Sequence, residues 1–409
     1  MAMGILPNEL LRVIFSNLYQ PDLYALSLCS HHLHSIAEPF LHADFVQKGN
    51  SEIPLFLRTV ARKPHLSKHV RTMSVSFRRR LHPPPRFRLS DLATQDRAIL
   101  RRCMPDNIFG SRNCDEWAQD LFEFEVWDAA VALLLVLFSS SLQTVTLKWF
   151  KYLSEHTFSA AVLSHASNRL SLQPQPLLSN LNTVFFGGPR EPALTCHEVH
   201  QWAMIPSVKQ LHAYAVDDTG RAEEVSRFST TDVSLKSSSL DSPGMYCFLR
   251  SFTSLRHFSY GHRGGRILDP SAVNNGLQKS KHSLESLALT MENPEYLRGV
   301  RGSPPMGSLA GFSALKVLDV DIEMLVGWEG SSPVWYSPEQ IEAFMSALPK
   351  SLESLVLRNC KYAVIDCINE IFLTSKIPLR LRRFKVSIIT LTPGGGRGLS
   401  RPYSVFAVG

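Results

Sequence analysis

Nothing in the chain offers the roughly 18–20 consecutive apolar residues that a bilayer-spanning helix needs. The longest candidate, Ala129–Phe138, reads AAVALLLVLF and follows Glu123, Glu125 and Asp128, which fits a buried helix better. No membrane partner is expected. The amino end lacks a charged leader region and a small-residue cleavage site, so no secretory signal is expected. Cysteine is sparse: Cys29, Cys103, Cys114, Cys196, Cys247, Cys360 and Cys367 are scattered and odd in number. Reduced thiols in the cytoplasm and/or nucleus suit that usage better than a disulfide framework.

Catalytic signatures are missing too. Gly-x-Ser-x-Gly, His-Glu-x-x-His and Gly-x-x-x-x-Gly-Lys-[Ser/Thr] do not occur. Gly261-His262-Arg263-Gly264-Gly265 lacks the phosphate-binding lysine and reads as a polar turn, and Gly394–Gly396 belongs to an irregular tail. Cys29 with His31, His32 and His34 crowds its candidate ligands into one helix, which cannot turn them all toward one tetrahedral ion. Cys196-His197 with His200 lacks a second ligand pair. No catalytic residue, metal or cofactor is expected.

What the chain does have is a core. Hydrophobic residues make up 44% and charged ones 19%, which excludes broad disorder. The net charge of +7 is partly local, in an Arg/Pro-rich loop near residues 78–102 with Arg78–Arg80, Arg86, Arg88, Arg97, Arg101 and Arg102 around Pro83–Pro85. Without interleaved aromatics that stretch reads as a solvated loop, and nucleic acid is not an expected partner.

Residues 6–45 carry three short helical patterns. Pro7 opens the first, with Glu9 in its first turn and an apolar stripe of Leu10, Leu11, Ile14, Phe15 and Leu18. Pro21-Asp22 opens a second through Leu23, Leu26 and Leu28. Ser30 caps a third carrying Leu33, Ile36 and Ala37, which Pro39 is expected to stop. A module this small is usually stable only against a partner or further chain.

The stretch resembles the F-box, on four anchors in register: Leu6-Pro7-Asn8-Glu9-Leu10-Leu11, Ile14-Phe15-Ser16-Asn17-Leu18, Asp22-Leu23-Tyr24-Ala25-Leu26-Ser27-Leu28 and Leu33-His34-Ser35-Ile36-Ala37-Glu38-Pro39. It departs where the family often has Cys-Lys/Arg-x-Trp, reading Cys29-Ser30-His31-His32, and where fungal members often have Leu-Tyr, reading Phe40-Leu41-His42. The resemblance implies docking on the Skp linker subunit and, through it, on a cullin. Leu6, Pro7, Leu10, Ile14, Leu26 and Leu33 are the candidate contacts. Some of them must instead hold the three helices to each other.

Down the rest of the chain a hexad, apolar-x-x-apolar-x-apolar, recurs nine times. The copies begin at Val70, Leu142, Leu181, Val208, Leu255, Leu284, Leu315, Leu352 and Leu381. The last two apolar positions of each copy lie on one face of a strand. Helical segments are expected between copies, at Trp117–Phe138, His156–Ala166, His197–Met204, Pro338–Leu348 and Ala363–Phe372, with a linker helix near Arg58–Lys63. Strand, helix and parallel strand form the unit that stacks into a solenoid. The region is similar to leucine-rich repeats, most fully at Leu352–Cys360, although the spacings are long and uneven.

The expected organisation is α/β: an F-box at 5–45, a linker helix region at 46–69, a degenerate leucine-rich solenoid at 70–390 and an irregular tail at 391–409. The expected role is a non-catalytic substrate adaptor of a Skp-cullin-F-box ubiquitin ligase. Arg256, His257, Glu285, Lys316, Glu353 and Arg382 are candidate contacts to an unidentified protein substrate, with Ser259, Ser286, Asp319 and Lys385 beside them. Two other classes fit the same sequence: a scaffold that promotes no ubiquitination, and an enzyme with an unrecognised site in residues 50–409.

Overall fold

The computed structural model describes residues 6–47, 49, 52–76, 89, 92–105, 108, 114–148, 158–168, 176–188, 194–217, 227–292, 304–326, 338–360, 381–388 and 401–403. Helix Ala363–Phe372, expected from the sequence, and the arginines at 78–80, 86 and 88 lie outside them. The chain divides into two compact units, Met1–Phe186 and Gly187–Gly409.

The first unit opens with α1 (Asn8–Phe15), α2 (Gln20–Cys29) and α3 (His31–Leu41). It continues with β1 (Asp44–Val46), α4 (Glu52–Arg62), a 3-10 turn (Pro64–His69), β2 (Thr72–Ser76), α5 (Thr94–Arg102), α6 (Cys114–Phe122), α7 (Trp127–Leu137), β3 (Thr144–Lys148), α8 (Phe158–Ser167) and β4 (Thr183–Phe186). β1, β2, β3 and β4 pair in parallel, in sequence order. Parallel strands need crossovers, and the helices provide them.

Three expectations change here. Arg97, Arg101 and Arg102 lie on or at the end of α5 and not in a loop; the helix is anchored because buried Asp96 takes an Arg62 guanidinium at 3.4 Å. Trp117–Phe138 is two helices, broken where Glu125 takes a left-handed φ of 53°. Trp117 ties them together by donating Nε1–H to the Ala129 carbonyl at 3.0 Å. Pro39 does not stop α3, which runs to Leu41. So near the carboxyl end a proline forfeits one hydrogen bond, and Phe40 and Leu41 beyond it pack on the helical core.

The second unit contains β5 (Leu194–Thr195), α9 (Cys196–Ala203), β6 (Gln210–Tyr214), β7 (Val216–Asp217), β8 (Asp232–Ser238), α10 (Ser242–Arg250), β9 (His257–His262), α11 (Pro270–Leu277), β10 (Ser286–Met291), β11 (Val317–Asp321), α12 (Ile322–Val326), α13 (Pro338–Ser346), β12 (Ser354–Cys360), β13 (Arg383–Ile388) and β14 (Arg401–Tyr403). Strands β6, β8, β9, β10, β11, β12 and β13 pair in parallel, each beside the next, and β14 closes antiparallel on β13. β5 and β7 form a small parallel pair.

All nine hexads fall on strands, and the last two apolar positions of each copy are buried: Met73 and Val75 in β2, Leu287 and Leu289 in β10, Leu355 and Leu357 in β12, and their equivalents elsewhere. β8 is a strand that the hexad search overlooks, because Thr230 holds its first apolar place. That threonine is fully buried and its hydroxyl donates to the Val208 carbonyl at 3.2 Å. The overlooked copy divides the 47-residue interval between Val208 and Leu255 into 22 and 25 residues, so the repeat is more even than it looked.

The ends of the strands are shaped by polar locks. Ala215, Ser237 and Asn359 take left-handed φ values just before buried Val216, Ser238 and Cys360. Glu292, at the end of β10, reaches across β9 to accept the Ser237 N–H at 2.7 Å and the Ser237 hydroxyl. It can do so because Gly261 lies beneath it, where any Cβ would overlap the Glu292 carboxylate. Gly261→Val is therefore expected to cost about 1–3 kcal/mol through overpacking and release of that lock, read as a lower thermal midpoint.

Candidate functional site

The helical module is built around Leu11, Phe15, Leu23, Leu33, Ile36 and Ala37, with Leu18, Leu26, Phe40 and Leu41 partly buried against them. Pro7 precedes α1 with extended backbone, and its carbonyl accepts the Leu10 and Leu11 N–H groups, each at 3.1 Å. Ser30 caps α3 by accepting the Leu33 N–H at 3.1 Å.

That core sorts the six candidate docking residues. Leu33 is only 8% exposed and belongs to the module's own centre, and Leu26 is half-buried against it. Leu6, Pro7, Leu10 and Ile14 face solvent. The apolar stripe of α1 is in fact two adjoining stripes. Leu11, Phe15 and Leu18 turn inward, while Leu10, Val13 and Ile14, at three- and four-residue steps, turn outward. The outward set is 52%, 61% and 37% exposed, and Leu6 is 38% exposed. Val13 was missed from the sequence, although its i+3 step from Leu10 places it there. Tyr24 and Leu28, one turn apart on α2, are also exposed.

The module's other side is occupied. Glu38 on α3 meets Lys63 and His65 at 3.5 Å and His34 at 3.8 Å. Burial alone would raise the Glu38 carboxyl, but the His65 hydrogen bond and the Lys63 charge more than offset that and lower it. The α3 side is thus fastened to the chain that follows, and the α1 stripe is left open. Leu33→Ala is expected to destabilise the module by about 2–4 kcal/mol by opening a core cavity, read as faster proteolysis within residues 6–47.

The candidate recognition residues of the second unit come together as one row. Arg256, Glu285, Lys316, Glu353 and Arg382 each stand just before a strand, and each donates its N–H to a carbonyl in the preceding copy at 2.7–2.9 Å. Their charges alternate. Arg256 lies 4.0 Å and Lys316 3.7 Å from Glu285, and Arg382 lies 3.9 Å from Glu353. His257, the first outward residue of β9, meets Asp232 at 3.1 Å. These side chains answer one another. Exposed pairs of this kind contribute about 0–1 kcal/mol each, and they match neighbouring copies in register.

Several titratable groups of the second unit are buried. His262 is fully buried, with Nδ1 2.8 Å from the Tyr260 hydroxyl and Nε2 3.2 Å from the Arg266 carbonyl. His200 is stacked on Phe248 at 5.1 Å. Burial lowers both imidazoles to about 4, with nearby His197 adding to the effect on His200. Burial pushes the Asp321 carboxyl up to about 7; it accepts from the Met291 N–H and the Asn359 amide. Among the described residues no group of three or more His, Cys, Asp or Glu could hold a metal ion, and no helix is long and apolar enough to cross a membrane.

Residues 4–40 match the F-box domain. No curated protein matches the chain.

Proposed function

We propose that the chain is the substrate-recognition adaptor of a Skp-cullin-F-box ubiquitin ligase. In this reading the F-box docks on the Skp linker, and the second unit, a degenerate leucine-rich repeat array, holds a target protein. The observation that carries it is the F-box match at residues 4–40 coinciding with an outward apolar stripe on α1. Four aliphatic side chains left in water beside a well-filled core are what a docking helix presents before its partner arrives. The parallel strands with buried hexad positions support the repeat reading. The chain makes or breaks no bond itself; tethering raises the effective concentration of a target lysine near the conjugating machinery.

A tagged full-length chain is expected to recover a Skp linker together with a cullin. Recovery of the linker without cullin would reduce the role to a scaffold, and recovery of neither would remove the adaptor reading altogether.

A further inference from the structure

The outward face of the second unit's sheet changes character between β11 and β13. Val317 is the register neighbour of Ser354, and Asp319 of Val356. On the other side of β12, Arg383 stands beside Ser354 and Lys385 beside Val356. Val317 is 37% exposed, and Ser354 and Val356 are half-buried. They form a shallow floor of small and aliphatic side chains, open to solvent along the strand face.

Cations surround that floor. Lys316 lies on its amino side, Arg358 on its carboxyl side, and Arg382, Arg383 and Lys385 along β13. These five face three carboxylates. Asp319 is taken by Arg358 through two hydrogen bonds, at 2.5 and 2.7 Å. Glu353 lies near Arg382, and Glu285 near Lys316. Arg383 and Lys385 have no acidic partner among the described residues. Every cation of the alternating row has a carboxylate within 4.0 Å, so the cations left without an acidic partner among the described residues are the two at the outward positions next to the valine floor.

We infer that this patch docks an acidic segment of a partner protein, one that lays a small aliphatic side chain on Val317 and Val356 and its carboxylates against Arg383 and Lys385. The inference rests on the reading of the second unit as the target-binding part and names the chemistry of the target. Cations near a sheet edge also discourage strand-on-strand pairing, and β13 lies one strand in from β14. That role needs charge alone, however, and gives no reason for an exposed aliphatic floor beside it. Surplus charge around an apolar floor is complementary to a segment that is both acidic and aliphatic.

The test uses the full chain and fluorescence anisotropy with a short synthetic peptide of Asp and Glu around a central Val. Its counterparts are the same peptide with Asn and Gln, a version with phosphoserines for the acids, and a single-stranded RNA. The acidic peptide is expected to bind and to weaken with added salt, because exposed charges are screened. Arg383→Glu with Lys385→Glu is expected to weaken it at least about tenfold, and Arg383→Gln with Lys385→Gln by less. Both pairs should melt like the parent chain, since they change solvent-facing positions. Equal or tighter binding of the phosphoserine peptide supports the same anionic chemistry and identifies its source. Equal binding of the Asn/Gln peptide, preference for the RNA, or indifference to charge reversal overturns the inference. Capture of the Skp linker is measured on the same preparations. If linker is captured and no acidic peptide binds, only this inference falls; if linker is not captured, the adaptor reading falls separately.

Discussion

Leu10→Asp combined with Ile14→Asp is expected to lower affinity for a Skp linker by at least about a hundredfold, roughly 3 kcal/mol, while the chain melts as before. The size follows from two effects of the same sign. Burying a fully exposed leucine or isoleucine contributes about 1.5–3 kcal/mol; Leu10 is 52% and Ile14 37% exposed, so the pair together contributes about that much. A carboxylate in their place would have to be desolvated in the interface without a partner, which costs more than the lost burial. Stability should be spared because the inward stripe of Leu11 and Phe15 stays intact. Leu33→Ala gives the opposite signature, a weakened module with an unchanged outer surface. The two variants together separate the contact surface from the scaffold beneath it, a distinction that linker capture and thermal denaturation read independently.

Acidification gives the second large effect. His200 and His262 are held near 4 in the fold, against about 6.5 in an unfolded chain. The folded state therefore binds fewer protons, and the stability each contributes is full above pH 6.5 and lost as pH falls toward 4. A difference of about 2.5 units corresponds to about 3 kcal/mol per histidine. Asp321 acts in the other direction. Its carboxyl is raised to about 7 from an ordinary value of 3.8, so its favourable contribution is present in acid and lost as pH rises through 7. His200→Phe, which keeps the stack on Phe248, is expected to remove about 3 kcal/mol from the stability lost between pH 7 and pH 4. Asp321→Asn is expected to steepen that loss. Denaturant titrations across the pH range measure both; parallel pH profiles for His200→Phe and the parent chain would show that the imidazole titrates normally in the fold.

Nine of the fourteen described strands were legible because period-two burial leaves a strong trace: each carries one hexad with its last two apolar positions inward. β8 escaped because a buried hydroxyl can satisfy itself on a neighbouring carbonyl, as Thr230 does on Val208, and a search for apolar letters passes over it. The break between α6 and α7 escaped because Glu125 takes its left-handed backbone without a glycine or proline to announce it. Pro39 misled for the converse reason, since a proline near a helix end costs little when the residues after it have a core to join. The proposed docking surface was half legible. Leu10 and Leu11 are the same residue type one step apart, and only the packing of α1 shows that one faces Phe15's core and the other faces water. The alternating charges were visible as letters, but their mutual pairing depends on copies 29 to 37 residues apart lying side by side.

Hydroxyl-radical footprinting of the full chain, with and without purified Skp linker, tests the docking helix most directly. Oxidation of Leu10, Val13 and Ile14 should fall several-fold on addition of linker, while Phe124, exposed elsewhere in the first unit, stays unchanged. Bound linker with those three side chains still oxidised at their free rates would show that the outward stripe of α1 is not the surface it covers.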